Sequence, residues 1–150
     1  MEKQFCRVRS ANDILISCVL INVGAIMLFS EFEVGIRVAG LFLFLIGFLF
    51  LFLLKSVYKD KDDKRNIHYH KKELYFQHKT LNALLHNVIT NPQEIDAASV
   101  GQGWTVKLNI YYSKSAGIAY LQLFEYIPYK YEPCTELLEW KYEKIASLIK

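Results

Sequence analysis

Cysteine is scarce in this chain, and its three copies are scattered. Cys6, Cys18 and Cys134 form neither a CxxC motif nor a paired spacing, which argues against a disulfide framework and against a zinc knuckle. The sequence also lacks an Asn-x-Ser/Thr sequon, so nothing points to glycosylation in a secretory compartment. We therefore expect reduced thiols, no metal site and no cofactor.

Charge is almost absent from residues 14–54 and common after them. Residues 38–54 are all apolar or glycine, and residues 14–30 carry no charge. Each stretch is long enough to span most of a hydrocarbon core about 30 Å thick, and the roughly 95 residues that follow are too few to enclose it. We predict transmembrane helices at 14–30 and 38–54, joined by a loop at 31–37 into an antiparallel hairpin.

Lysine and arginine gather at the two outer ends of this predicted hairpin. Arg7 and Arg9 precede the first helix, Lys55 and Lys59 follow the second, and the loop between the helices contains only Arg37. Basic residues are retained on the cytoplasmic side of a membrane. We therefore expect a multi-pass protein of the cell (inner) membrane with both termini in the cytoplasm.

Asn22 lies at the centre of the first predicted helix, where an amide without a partner is costly. If the loop turns near Val34, antiparallel pairing places Asn22 opposite Gly47. The missing side chain of Gly47 would permit close approach and a hydrogen bond between the helices. The alternative is that Asn22 joins two protomers or lines a pathway.

The rest of the chain divides by composition. Residues 1–13 are predicted to be a cytoplasmic tail, residues 55–66 a solvated charged linker, and residues 67–150 an α+β domain on the cytoplasmic side. The predicted elements of that domain are strands at 67–70 and 73–78 around a Lys71-Lys72 turn, a helix at 81–89, strands at 95–100, 104–112 and 118–127, and a final helix that begins at Pro133.

This order of elements predicts the fold class. It is a membrane α-helical hairpin followed by an α+β domain, in which an antiparallel sheet is packed by a C-terminal helix. The strand at 104–112 alternates apolar and polar residues with a period of two, so only one of its faces is expected to be buried.

No cluster of residues indicates catalysis. His68 and His70 would share one face of a strand, and His78 and His86 could join them as metal ligands, but no cysteine or carboxylate stands at a supporting spacing. No serine or cysteine lies on a strand-to-helix elbow with a histidine and an acid. Residues 93–131 contain only three lysines as cations, too few for a phosphate track. We expect neither an enzyme nor a nucleic-acid-binding protein.

Three tyrosines are predicted to be exposed. Tyr111 points away from the buried face of its strand, while Tyr129 and Tyr131 lie in a connector bounded by Pro128 and Pro133. Tyrosine is enriched at protein interfaces because it is large, stiff and amphipathic. Tyr111, Tyr129 and Tyr131 therefore form the candidate partner-binding surface.

These features favour a membrane-anchored protein-binding module. The hairpin fixes the location in the lipid bilayer, and the cytoplasmic sheet binds a protein partner or a second copy of the chain. Regulatory subunits, and immunity proteins that neutralise a membrane-acting toxin, both fit this description. One alternative is a small-molecule-sensing effector whose hairpins oligomerise to permeabilise the membrane, and another is a structural subunit of a larger membrane complex.

Overall fold

The computed structural model describes residues 3–31, 33–61, 63, 65–101 and 105–149. The chain forms two compact units. One is Arg7–Val57, and the other combines Met1–Cys6 with Tyr58–Lys150. Residues 3–6, which the sequence predicted as part of an N-terminal tail, therefore belong to the unit that contains the C-terminal sheet.

Two helices form the first unit. Helix α1 spans Ala11–Phe29 and helix α2 spans Val34–Leu53, and both are long and apolar enough to cross a membrane. Helix α1 begins earlier than predicted because Ser10 caps it. The Ser10 hydroxyl accepts from the Asp13 N–H while the Asp13 carboxylate accepts from the Ser10 N–H, which satisfies two backbone donors at once.

Glycines let the backbones of α1 and α2 approach closely. A Cβ atom added at Gly24 would lie 2.4 Å from the Phe44 nitrogen, and one added at Gly47 would lie 2.8 Å from the Ile21 nitrogen. Gly47 does contact α1, but Asn22 faces away from α2, and its Nδ2 donates to the Cys18 carbonyl at 2.8 Å. Among the described residues, Asn22 makes no hydrogen bond to α2, because the helical phase turns Ile21 towards α2 in place of Asn22.

Hydrogen bonds close the open end of the hairpin. The buried carboxylate of Asp13 accepts from both the backbone N–H and the hydroxyl of Ser56, and the hydroxyls of Ser10 and Ser56 lie 3.1 Å apart. The start of α1 is thus fastened to the segment that follows α2.

The segments that flank the hairpin also pair with each other as a two-stranded ribbon. Strand β1 spans Phe5–Val8 and strand β2 spans Val57–Asp60. The Cys6 thiol donates to the Lys59 carbonyl. The predicted linker at 55–66 therefore contains a strand, and its Val57 and Asp60 are buried rather than solvated.

The main sheet is antiparallel, as predicted. Its strand order is β3-β4-β5-β6, and β7 also pairs with β5. The strands are β3 (His70–Phe76), β4 (Val106–Ser113), β5 (Ile118–Ile127), β6 (Lys130–Pro133) and β7 (Leu138–Lys141).

Two helices and Ile95 supply the rest of the core. Leu84 and Val88 of α3 (Leu81–Thr90) and Ile145 and Leu148 of α4 (Tyr142–Ile149) are buried together with the apolar face of the sheet. The buried sheet side chains are Leu74, Phe76, Val106, Leu108, Ile110, Ala119, Leu121 and Leu123.

Two strand predictions need correction. Lys71 and Lys72 form no turn but lie inside β3, because their side chains continue its alternation and pair in register with β4. The predicted strand at 95–100 is instead occupied by a short 3-10 turn at Ala97–Ser99, in which the Asp96 side chain accepts from the Ala98 N–H. Trp104, predicted to start the next strand, lies outside the described residues.

The final helix begins later than predicted. Pro133 ends strand β6, and the residues after it pair again with β5 through β7 before α4 starts at Tyr142. Proline is tolerated on an edge strand because its missing N–H can face away from the ladder. Glu139 consequently lies in strand β7.

Candidate protein-binding surface

The sheet has a second face, opposite α3 and α4, that carries polar and aromatic side chains. It arises because neighbouring residues in a strand point to opposite sides, so the residues between the core positions of β4 and β5 line it. Across these strands the register places Lys107 beside Phe124, Asn109 beside Gln122, and Tyr111 beside Tyr120.

One end of this face is covered by an aromatic cluster, formed by Phe5, Tyr58, Tyr69, Tyr111 and Tyr120. Phe5 stacks on Tyr111 with ring centroids 4.2 Å apart, and it packs edge-on against Tyr69 at 5.3 Å. Tyr58 also meets Tyr111 edge-on at 5.4 Å. Strand β1 thus supplies the ring that closes this part of the sheet.

Burial raises the pKa of two tyrosines in this cluster. Desolvation raises the pKa of Tyr69 to about 12, and desolvation together with a hydrogen bond to Glu139 raises the pKa of Tyr120 to about 12. The Tyr69 hydroxyl is buried and makes no hydrogen bond of standard geometry with the described residues. Lys3 donates to the Tyr120 hydroxyl and lies over its ring, so the N-terminal residues cover this end of the sheet face.

The other end of the face is open and aromatic. The Lys107 ammonium lies 4.5 Å from the ring centroid of Tyr131 and 5.1 Å from that of Phe124. Tyr131 also meets Tyr126 edge-on at 5.2 Å and Tyr75 at 6.4 Å. Cation–π contacts of this kind hold a lysine stem flat against aromatic rings, so the open end presents rings instead of a free charge.

The β5–β6 turn projects beyond this open end. We call Tyr126, Ile127 and Tyr129 the aromatic tip. These side chains are 46%, 41% and 96% exposed, respectively. Among the described residues outside the hairpin, Ile89 is the one other large apolar or tyrosine side chain with comparable exposure. Exposed apolar groups gathered at one place mark an interaction site more often than groups scattered singly.

Tyr129 also has an unusual backbone conformation. Ile127 pairs with Lys130, so Pro128 and Tyr129 form the two-residue turn, in which Tyr129 has a φ of 77°. Proline before a residue of positive φ suits a type II turn, but the second position normally holds glycine or asparagine. The left-handed conformation costs a bulky residue about 1–2 kcal/mol. The chain tolerates this strain at a position where the side chain makes little contact with its own fold.

Two of the three predicted surface tyrosines lie together, and the third lies elsewhere. Tyr129 and Tyr131 both belong to the β5–β6 hairpin, whereas Tyr111 is half-buried under Phe5. Tyr129 is exposed, whereas Tyr111 and Tyr131 are both only partly exposed, and β1 covers the face to which Tyr111 points. Sequence reasoning missed Tyr126 and Lys107, which reach Tyr131 only through the pairing of strands.

The predicted membrane-flanking basic residues lie on both sides of the helical hairpin. Arg7 is in β1, and Arg9 lies between β1 and α1. Lys55 lies between α2 and β2, and Lys59 is in β2. Three of these four side chains are exposed, and that of Lys59 is partly buried.

The histidines do not assemble into a site. His70 begins β3 while His68 precedes it, and the His78 Nε2 lies 2.8 Å from the Glu125 carboxylate. No three His, Cys, Asp or Glu side chains within the described part of the chain are placed to hold a metal ion.

Comparison with known proteins adds no assignment to this geometry. The chain matches no protein-family model, no curated protein and no solved structure.

Proposed function

We propose that this chain is a non-catalytic membrane protein of two spans, in which the α1–α2 hairpin anchors a cytoplasmic sheet domain that binds a protein partner through the aromatic tip. The observation that carries the binding part is the gathering of Tyr126, Ile127 and Tyr129 at one turn. Regulatory and immunity-type functions both fit such a module.

Membrane insertion is supported by the outer surface of the hairpin. Large apolar side chains such as Leu15, Phe42 and Phe52 are exposed along both helices, which water would disfavour by about 25 cal/mol for each Å². The basic residues at the outer ends of the hairpin favour a cytoplasmic position for both termini.

A protein is favoured over an anionic lipid surface as the occupant of the aromatic tip. The lysines near the tip have local partners: Lys130 pairs with Glu132, and Lys107 lies over aromatic rings. A lipid-binding patch needs basic residues that are not already compensated. Aromatic side chains with few uncompensated charged groups around them are instead typical of the centre of a protein interface.

The substitution Tyr129→Gly tests this proposal without straining the fold. Glycine adopts positive φ readily, so the variant should fold at least as stably as the parent while losing the projecting ring. Ile89→Ser on α3 is the matched control, because Ile89 is exposed but lies outside the tip. A photo-crosslinking residue at position 127 would report the contact in intact cells.

The expected result is a stoichiometric crosslinked partner that persists in Ile89→Ser and falls at least tenfold in Tyr129→Gly. Equal recovery from both variants, or a clean monomer from native membranes, would overturn the binding proposal. The anchor is tested separately: alkaline carbonate should leave the chain in the membrane pellet, and a reporter fused to its C-terminus should face the cytoplasm.

A further inference from the structure

The outward face of α1 is apolar apart from one amide. Exposed side chains follow one another at intervals of three and four residues along the side of α1 that points away from α2. They are Leu15, Cys18, Asn22, Ile26 and Phe29. Such a spacing forms a continuous stripe on a helix, and Asn22 occupies its middle.

The Asn22 amide is only partly satisfied. An asparagine side chain carries two N–H donors and a carbonyl acceptor, and Asn22 donates one hydrogen bond, to the Cys18 carbonyl of its own helix. Among the described residues its Oδ1 has no donor. Within a hydrocarbon core neither lipid nor water would supply one.

We propose that two copies of this chain pair side by side through the stripe on α1, with each Asn22 amide hydrogen-bonded to its counterpart. This inference rests on the proposed insertion of the hairpin, which gives every copy the same orientation and brings each Asn22 to the same depth. A two-fold axis then places the amide N–H of each Asn22 opposite the side-chain carbonyl of the other. A single buried asparagine fixes the register of paired helices in the same manner.

A second copy satisfies the amide more directly than an unrelated helix does. Asn22 offers both a donor and an acceptor, so an identical group is its exact complement. Cys18, which is small, lies one turn away on the same stripe and permits close approach of the two backbones.

Cys18 provides the test. In a Cys6→Ser, Cys134→Ser chain, Cys18 is the remaining thiol, and oxidation of native membranes should give a disulfide-linked homodimer because paired cysteines need Cα atoms within about 7 Å. The control adds Ile16→Cys and Cys18→Ser. Ile16 is also exposed but lies well off the stripe, at about 100° of rotation per residue. Little dimer is expected from it.

Asn22→Leu in the Cys18 background should lower the dimer yield at least about fivefold, the scale expected for lost interhelical hydrogen bonds. Val23→Leu, an exposed neighbour on another side of α1, should leave the yield unchanged. The chain resists carbonate extraction if the anchor is correct. Equal dimer yields from positions 16 and 18 in such chains, or a dimer yield that Asn22→Leu does not change, would refute the pairing and leave the membrane anchor unaffected. A disulfide to a different protein refutes the second copy as occupant. Release by carbonate refutes the anchor itself.

Discussion

The rings of Phe5 and Tyr111 lie nearly parallel, 4.2 Å between centroids and 9° between planes. Phe5 precedes the helical hairpin in sequence and Tyr111 lies near the end of β4, so this contact joins the N-terminal segment to the sheet that follows the hairpin. The sheet domain is thus assembled from both ends of the chain.

Phe5→Ala should destabilise the sheet domain by about 2 kcal/mol, because it removes a partly buried ring and opens a cavity over Tyr111. Chemical denaturation of the full chain in detergent, followed by near-ultraviolet circular dichroism, would measure the loss. The exposed neighbour Gln4 is the control. Equal midpoints for Phe5→Ala and Gln4→Ala would show that β1 does not stabilise the sheet.

Tyr69 and Tyr120 should make the domain sensitive to alkali. The pKa values of Tyr69 and Tyr120 are raised to about 12 from a usual value near 10. Their contribution to stability is therefore complete below pH 10 and is lost as the pH rises through about 12. During an alkaline titration, tyrosinate absorbance from these two residues should appear at a higher pH than that of a tyrosine with a pKa near 10. It should rise together with unfolding. Tyr120→Phe should lessen the alkaline loss, and an unchanged titration in that variant would contradict the assignment.

Local patterns in the sequence predicted the elements whose signal lies within one segment. The uncharged stretches around Asn22 and Gly47 indicated two helices, and the alternation from Val106 onward indicated a half-buried strand. Strands β1 and β2 were missed because each is short and acquires its partner from about 50 residues away. The pairing depends on the closure of a long loop between the two strands, and no local pattern in the sequence reports it.

The candidate surface was only partly accessible to sequence reasoning for the same reason. Tyr129 was found from its neighbour Pro128, which marks a turn. The position of Lys107 over Tyr131 depends on two strand pairings, and the burial of Tyr111 depends on Phe5. The side to which a strand residue points is a local property, whereas what covers that side is not.

The carboxylate of Asp13 fastens the end of the hairpin, so Asp13→Ala should cost about 2 kcal/mol. The substitution leaves the Ser10 cap in place but removes the carboxylate that accepts from the Ser10 N–H and from both Ser56 donors. Thermal unfolding in detergent would record the loss, with Asn12→Ala as the control at an exposed position. A variant as stable as the control would show that these bonds form without stabilising the hairpin.

Close approach of α1 and α2 depends on Gly24, so Gly24→Val should separate the helices. A Cβ there would lie 2.4 Å from the Phe44 backbone nitrogen, and backbone cannot yield as a flexible side chain can. Gly35→Val is the matched control, since a Cβ at Gly35 meets nothing within 4 Å and valine is the better helix former. Gly24→Val should lower thermal stability in detergent by at least about 3 kcal/mol, the upper range for overpacking, whereas Gly35→Val should not. Retained stability in Gly24→Val would mean that the helices pack through another face.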